Sequence, residues 1–189
     1  MGNRKYQCEI TIDIMLIIGK YFQTTNDYIN VMKVSKKYQD LTEMYHFNPI
    51  SDCSIFRNIE TQYLYHKEDD KKSNMYGYVY WYSVGYRIYD KRRDKETYKR
   101  ISLCLADMTS LKEIKLISIK QGQCEIKEGI HEIGSFCFFG NESITSIKLP
   151  TTMRRIGDRA FSETNISTIT IPEGVTTIGD GCFENCHFF

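Results

Sequence analysis

The sequence predicts an α+β chain: an N-terminal helical segment with a few strands over residues 1–100, then a short β-solenoid of repeats over 101–189. Three observations carry this. One phrase returns three times late in the chain, as "EGIHEIGSFCF" (128–138), "TTMRRIGDRAF" (151–161) and "EGVTTIGDGCF" (173–183). A second phrase recurs between them, as "SITSIKLP" (143–150) and "NISTITIP" (165–172). The first hundred residues lack this period and show helical apolar spacing instead.

Aligned on their glycines, Ile130, Ile133, Gly134 and Phe138 match Met153, Ile156, Gly157 and Phe161. These in turn match Val175, Ile178, Gly179 and Phe183, with the glycines 23 and then 22 residues apart. Ile144, Ile147, Leu149 and Pro150 match Ile166, Ile169, Ile171 and Pro172, all 22 apart. Two phrases in phase at one period, with L-x-x-I-x-L spacing, form the leucine-rich-repeat signature.

Each fixed position has a physical reading. Ile147 and Leu149 alternate, so they share one face of a short strand, and the next coil sets Ile169 and Ile171 beside them. Neither coil can bury its apolar face alone, so coils stack. Pro150 and Pro172 lack an N–H and end the strands. Gly134, Gly157 and Gly179 are expected to permit a backbone turn that a Cβ would resist. Phe138, Phe161 and Phe183 should form a column of rings, with Cys137, Ala160 and Cys182 as small core fillers. "MTSLKEIKL", with Leu111, Ile114 and Leu116, reads as a worn earlier coil whose strand lies 33 residues before the next. No polar terminal cap is visible. The ends are expected to be covered by the N-terminal segment and a partner, unless the chain is a truncated member of its family.

The pattern L-x-x-I-x-L-P-x-x-V-x-x-I-G-x-x-A/C-F-x-x-C closely resembles the BspA-like, or treponemal-type, leucine-rich repeat family over about residues 101–189. Arg154, Arg155 and Thr164 depart from the usual choices, at positions expected to be exposed. The N-terminal segment resembles the leader of protozoan members. The resemblance implies protein binding without catalysis, and bacterial members resemble cell-surface adhesins.

In the N-terminal segment, Ile14, Ile18 and Tyr21 or Phe22 suggest a helix from about Glu9 to Phe22. Thr25 or Asn26 offers an N-cap. Val31, Val34, Tyr38, Leu41 and Tyr45 then fall on one helical stripe, ended at Asn48 before Pro49. The hairpin resembles an F-box in outline, although the Leu-Pro opening is absent and Tyr38 stands where Trp is usual. That likeness implies a Skp1-type adaptor as partner. The alternative is a helical cap on the solenoid. "SIFRNIETQYLY" (54–65) looks like a worn strand phrase. "HKEDDKK" (66–72) and "DKRRDKE" (90–96) read as solvated loops. Between them Tyr76, Tyr78, Tyr80 and Tyr82 alternate with Gly77, Val79 and Trp81. That stretch is either an aromatic recognition strip or a strand packed on both faces.

Composition narrows function. Net charge is +1, from 25 basic and 24 acidic residues. A nucleic-acid partner is not expected, because phosphate neutralisation needs a basic excess. No stretch reaches the roughly 18 apolar residues of a membrane helix, so no integral membrane segment is expected. "IMLII" is too short and too acidic at its front for a signal peptide. The seven cysteines include no C-x-x-C, which speaks for reduced thiols, and Cys182, Cys186 and His187 lack the second pair that a metal site requires. His46, His66, His131 and His187 have no nucleophile or acid in a recognisable arrangement. No enzyme, metal or cofactor is expected. Two function classes remain: a protein-interaction module, and an F-box-like substrate adaptor of a ubiquitin ligase. For the first, the outward strand residues Glu113, Lys115, Ser146, Lys148, Thr168 and Thr170 are the expected contacts. A cytoplasmic location is expected. The alternative is surface display by a lipid anchor or unconventional export, for which the sequons Asn141–Ser143 and Asn165–Ser167 speak.

Overall fold

A computed structural model describes residues 10–108 and 116–187. They fall into two compact units. One comprises the chain up to Trp81 together with Lys95–Thr97, the other Tyr82–Asp94 together with Tyr98 onward.

The first unit begins with helices α1 (Ile12–Gly19) and α2 (Thr25–Val34). Thr24 caps α2 in a reciprocal box with Asp27, one residue ahead of Thr25 and two ahead of Asn26, the expected caps. The long stripe after it is broken. Ser35 is extended, and the chain continues as two 3-10 turns, Lys36–Tyr38 and Leu41–Met44. That break resets the phase: Tyr28, Tyr38, Leu41 and Tyr45 are buried while Val34 is 78% exposed.

The buried face of α1 also differs from the expected one. Met15 and Gly19 are buried, whereas Ile14, Ile17, Ile18 and Tyr21 are exposed. The cause is polar. Tyr28 donates its hydroxyl to the Gly19 carbonyl, Tyr45 to that of Leu16 (2.8 Å) and Tyr38 to that of Ile10 (2.7 Å). Buried tyrosines need such acceptors, and carbonyls at a helix C-terminus need donors. A Cβ at Gly19 would collide with the Tyr45 hydroxyl, so only glycine admits this approach. Around Tyr28 the rings of Phe22, Phe56 and Tyr45 stand edge-on, with centroids at 4.9, 5.1 and 6.0 Å.

Strand β1 (Thr61–Leu64) occupies only the last part of the worn phrase and pairs in parallel with β2 (Gly77–Gly85), from Thr61↔Gly77 to Leu64↔Tyr80. Asn48 secures the edge of β1. Its buried side chain donates to the carbonyls of Ile50 (2.9 Å) and Tyr63 (2.8 Å) and accepts from the Tyr63 amide (2.7 Å). Asn48→Ala leaves these groups unpaired and should cost about 3 kcal/mol. Trp81, the single tryptophan and a member of this unit, reports the loss by fluorescence in urea.

The aromatic alternation resolves into two faces of β2. Tyr80 and Val84 are buried; Tyr76 is exposed and precedes the strand. On the other face Trp81 stacks on Tyr65 (6.2 Å), lies 6.0 Å from Tyr63, and Tyr63 stacks on Phe47 (4.7 Å). The 66–72 loop is anchored rather than merely solvated. Asp69 accepts the amides of Tyr65 (2.7 Å) and His66 (3.0 Å). Lys71 reaches Tyr80 and Glu96, each at 2.7 Å.

The second unit contains helix α3 (Tyr86–Asp90) and strands β3 (Glu96–Leu103, from Tyr98 on in this unit), β4 (Ile117–Lys120), β5 (Gln123–Ile126), β6 (Glu132–Ile133), β7 (Ser146–Lys148), β8 (Arg155–Ile156), β9 (Thr168–Thr170) and β10 (Thr177–Ile178). β3, β6, β8 and β10 run parallel side by side. β5, β7 and β9 form a second parallel row, with β4 antiparallel on β5. The chain is thus a mixture of helices and mostly parallel strands.

The worn coil is displaced from its expected place. Leu111 and Ile114 lie outside the described residues. The strand that pairs with β7 is β5, in the register Cys124↔Ile147, 23 residues earlier, so the coil has ordinary length. "CEIKEGIHEIG" aligns with "IKLPTTMRRIG", but Cys124 and Lys127 replace the isoleucine and proline that mark the phrase.

One core cluster draws Leu103, Ile133 and Ile156 from the first row, Cys124 and Ile147 from the second, and Phe138 and Phe161 from the turns. The phenylalanines stack as expected: Phe138 on Phe161 at 5.2 Å, Phe161 on Phe183 at 5.6 Å. Cys137, Ala160 and Cys182 are buried in one slot. The repeated glycines serve a different purpose from the expected turn. None has positive φ; each abuts the backbone of the preceding coil, and a Cβ at Gly157 would lie 2.7 Å from the Gly134 carbonyl carbon.

Burial pushes the thiols up from their ordinary 9.0, Cys124 to about 12 and Cys182 to about 11, and Cys137 upward as well. Tyr45 is pushed by burial from 10.0 to about 12, and Tyr28 is raised for the same reason. All five hold their protons more tightly folded than unfolded. Their contribution to stability is therefore complete below the unfolded values and is lost as pH rises toward the folded ones. On this account the melting temperature should fall as pH rises above about 9. Alkylation followed by mass spectrometry should label exposed Cys104 in the native protein, and Cys124, Cys137 and Cys182 only after denaturation.

Candidate functional site

Parallel pairing aligns equivalent residues of successive coils into rows. On the second sheet Gln123, Ser146 and Thr168 form one outward row, and Glu125, Lys148 and Thr170 another. Cys124, Ile147 and Ile169 point inward between them. Four of the sequence-predicted contacts, Ser146, Lys148, Thr168 and Thr170, therefore share one face. Glu113 and Lys115 lie outside the described residues. Charge on this face is internally paired: Lys148 Nζ donates to Glu125 Oε1 at 2.8 Å, which lowers the glutamate and raises the lysine pKa.

The first sheet presents a different surface that the sequence reading did not single out. Glu132, Arg155 and Thr177 form an outward row across β6, β8 and β10, next to the buried Ile133 and Ile156; Ile178, the register partner of Ile156, is 47% exposed. With Lys99, Arg100, His131 and Arg154 they border a groove of about 470 Å³. Arg154 Nη1 donates to the carbonyls of Thr151 (2.9 Å) and Met153 (2.7 Å), which fixes its guanidinium. Glu132 accepts from Ser83 Oγ (2.9 Å) and from Arg155 Nη1 (3.4 Å). The sequence signal was the dipeptide "RR" at 154–155, read as a harmless departure from the repeat.

Of the other departures, Thr164 is buried rather than exposed. Its hydroxyl donates to the Phe161 carbonyl at 2.8 Å. Among the described residues no three His, Cys, Asp or Glu side chains could hold a metal ion together. His46 faces Glu60 at 3.5 Å on the surface, and His131 Nδ1 faces the Ile101 amide at 3.5 Å. In the sequons, Asn141 accepts from the Ser143 amide and hydroxyl, and Asn165 donates to the Glu142 carbonyl at 2.7 Å. No helix among the described residues is long and apolar enough to cross a membrane.

Residues 115–189 match the family model of the BspA type leucine-rich repeat region, in six copies. This part of the chain is a BspA-type leucine-rich repeat region. Such repeats typically mediate protein interaction. No curated protein matches the chain, and no solved structure does.

Proposed function

We propose that the protein is a non-catalytic interaction module whose repeats form a short solenoid and bind a protein partner through its exposed strand rows. The observation that carries this is the division of each strand. Ile147 and Ile156 are buried, while Lys148, Thr168, Thr170 and Arg155 repeat outward in register from coil to coil. Such rows offer a partner a periodic set of side chains on a backbone that need not rearrange. Ser146, Lys148, Thr168 and Thr170 remain the proposed contacts, with Glu113 and Lys115 beside them in the sequence reading. The cytoplasm is the proposed location.

A photo-crosslinking residue placed in turn at Ser146, Thr170 and Thr177, and at Lys67 in the 66–72 loop, tests this in living cells. Protein adducts should form at the strand positions and not at Lys67. Absence of adducts at every strand position would remove the reading.

A second reading, the F-box-like substrate adaptor, draws on one observation: α1 exposes Ile14, Ile17 and Ile18, Ile17 to 58%, and Tyr21 just past its end is 77% exposed. Exposed apolar side chains in such a group suit a docking helix. Ile17→Asp should abolish binding of a Skp1-type adaptor with the melting curve unchanged. No binding by the unaltered chain would sink this reading. Leu41 is unsuitable for the test because it is fully buried.

A further inference from the structure

We propose that the groove on the first sheet of the repeat unit binds an acidic segment of the protein partner. The inference rests on the interaction reading above and assigns it a surface and a chemistry. Charge is the first argument. Among the described residues, Lys99, Arg100, Arg154 and Arg155 border the groove against one carboxylate, Glu132. The chain as a whole is balanced, with 25 basic and 24 acidic residues, so these cations are segregated rather than a sample of a basic protein. The second sheet shows the contrast, for its Lys148 is matched by Glu125.

Geometry is the second argument. Arg154 is held by two carbonyls through one nitrogen, so its planar fork is pre-organised for a carboxylate. The Arg155–Glu132 pair is loose at 3.4 Å and the arginine side chain is 54% exposed. An exposed pair of this kind contributes little, so an incoming carboxylate can displace it. Thr176 donates its hydroxyl to the Arg154 carbonyl (3.1 Å), a further contact on the backbone that carries this arginine.

Size and lining favour a peptide over nucleic acid. About 470 Å³ falls in the range of roughly 300–1,000 Å³ typical of small binding sites. Among the described residues no Phe, Tyr or Trp borders the groove to stack bases, as single-strand binders require. Glu132 would repel a continuous phosphate backbone, whereas a peptide can set an N–H donor against it.

The test uses the full chain and a fluorescent decapeptide of glutamate and serine, with its glutamine counterpart and a single-stranded oligonucleotide of equal charge as probes. Anisotropy should show the acidic peptide bound, the glutamine peptide not, and the oligonucleotide more weakly than the acidic peptide. Arg100→Glu with Arg155→Glu should weaken acidic-peptide binding roughly tenfold or more, and the milder Arg100→Gln with Arg155→Gln in the same direction. Lys148→Glu on the second sheet should leave it unchanged. Equal binding of both peptides, or no effect of either double variant in a chain that melts normally, would overturn the proposal. Tighter oligonucleotide binding lost in the same variants would overturn it in favour of a nucleic-acid surface. The crosslinking experiment separates the two levels of inference. Adducts that persist undiminished in the Arg100→Glu, Arg155→Glu chain would remove the groove and leave the interaction module standing. Absence of all strand adducts would remove both.

Discussion

Gly157→Ala should lower the stability of the repeat unit by about 3 kcal/mol or more, the upper end of overpacking costs. The added methyl has nowhere to go. Its ideal position lies 2.7 Å from the Gly134 carbonyl carbon and 2.9 Å from Ser135 Cα, with the Ser135 nitrogen closer still. All three atoms are backbone, so no side chain can swing aside. Relief requires the two coils to separate. That would stretch the Gly157 amide bond to the Ile133 carbonyl (2.8 Å) and disturb the β6–β8 pairing. Gly179 repeats the arrangement against Gly157, at 2.6 Å from its carbonyl carbon. Gly85 is the control: no atom lies within 4 Å of a Cβ there, and its φ of −61° suits alanine. Gly85→Ala should stay within about 0.5 kcal/mol of the parent. At about 2–4 °C per kcal/mol for a chain of this size, Gly157→Ala should melt roughly 6–12 °C lower. A shift below about 2 °C would show that the coils do not meet as described.

Phe161→Ala should cost about 3–5 kcal/mol, the range for removing a buried aromatic ring. Phe161 is fully buried and sits between Phe138 and Phe183, with rings nearly parallel at 14° and 5°. Truncation therefore opens a cavity between two other rings and interrupts the column in its middle. Collapse is restricted because Phe161 N–H donates to the Cys182 carbonyl (2.9 Å) and Phe138 N–H to that of Ala160 (2.8 Å), which hold the coils at their spacing. Phe136, on the same turn as Phe138, is 43% exposed, and Phe136→Ala should cost less than about 1 kcal/mol. Chemical denaturation followed by circular dichroism measures both. Equal costs at the two positions would show that the ring column is not a structural spine.

The repeat half of the fold was legible because its constraint is written many times. Each coil needs the same inward Ile or Leu, the same Phe and the same Gly, so the period emerges from identity alone. The purpose of the glycines was not legible. A close approach between coils and a left-handed turn both demand glycine, and only the distance from Gly157 to the Gly134 backbone separates them. The coil holding β5 was missed because Cys124 and Lys127 keep its geometry while discarding its usual letters.

The helical segment misled for a different reason. Ile14, Ile17 and Ile18 are three of the four isoleucines of α1, yet the core receives the face that carries Met15 and Gly19. There tyrosine hydroxyls from Tyr28, Tyr38 and Tyr45 claim backbone carbonyls. Hydropathy cannot register a helix held through its backbone oxygens. The candidate site divides the same way. Alternation placed Ser146, Lys148, Thr168 and Thr170 on one face correctly. The groove escaped because its strands β6, β8 and β10 are two residues long, too short to show alternation.

The functional reading depends on coils stacking in register, since only register gathers residues 22 and 23 apart into a common surface. The most direct measurement is a cross-link between neighbouring outward positions, Ser146→Cys with Thr168→Cys, against Ser146→Cys with Thr170→Cys. The reagent is a bifunctional thiol linker that spans about one strand spacing of 4.8 Å. Ser146 is the register partner of Thr168, and Thr170 is that of Lys148. The account predicts that the 146–168 pair cross-links rapidly, read as one linked peptide by mass spectrometry, and that the 146–170 pair lags well behind. Faster linkage of 146 to 170, or none in either pair, would contradict it.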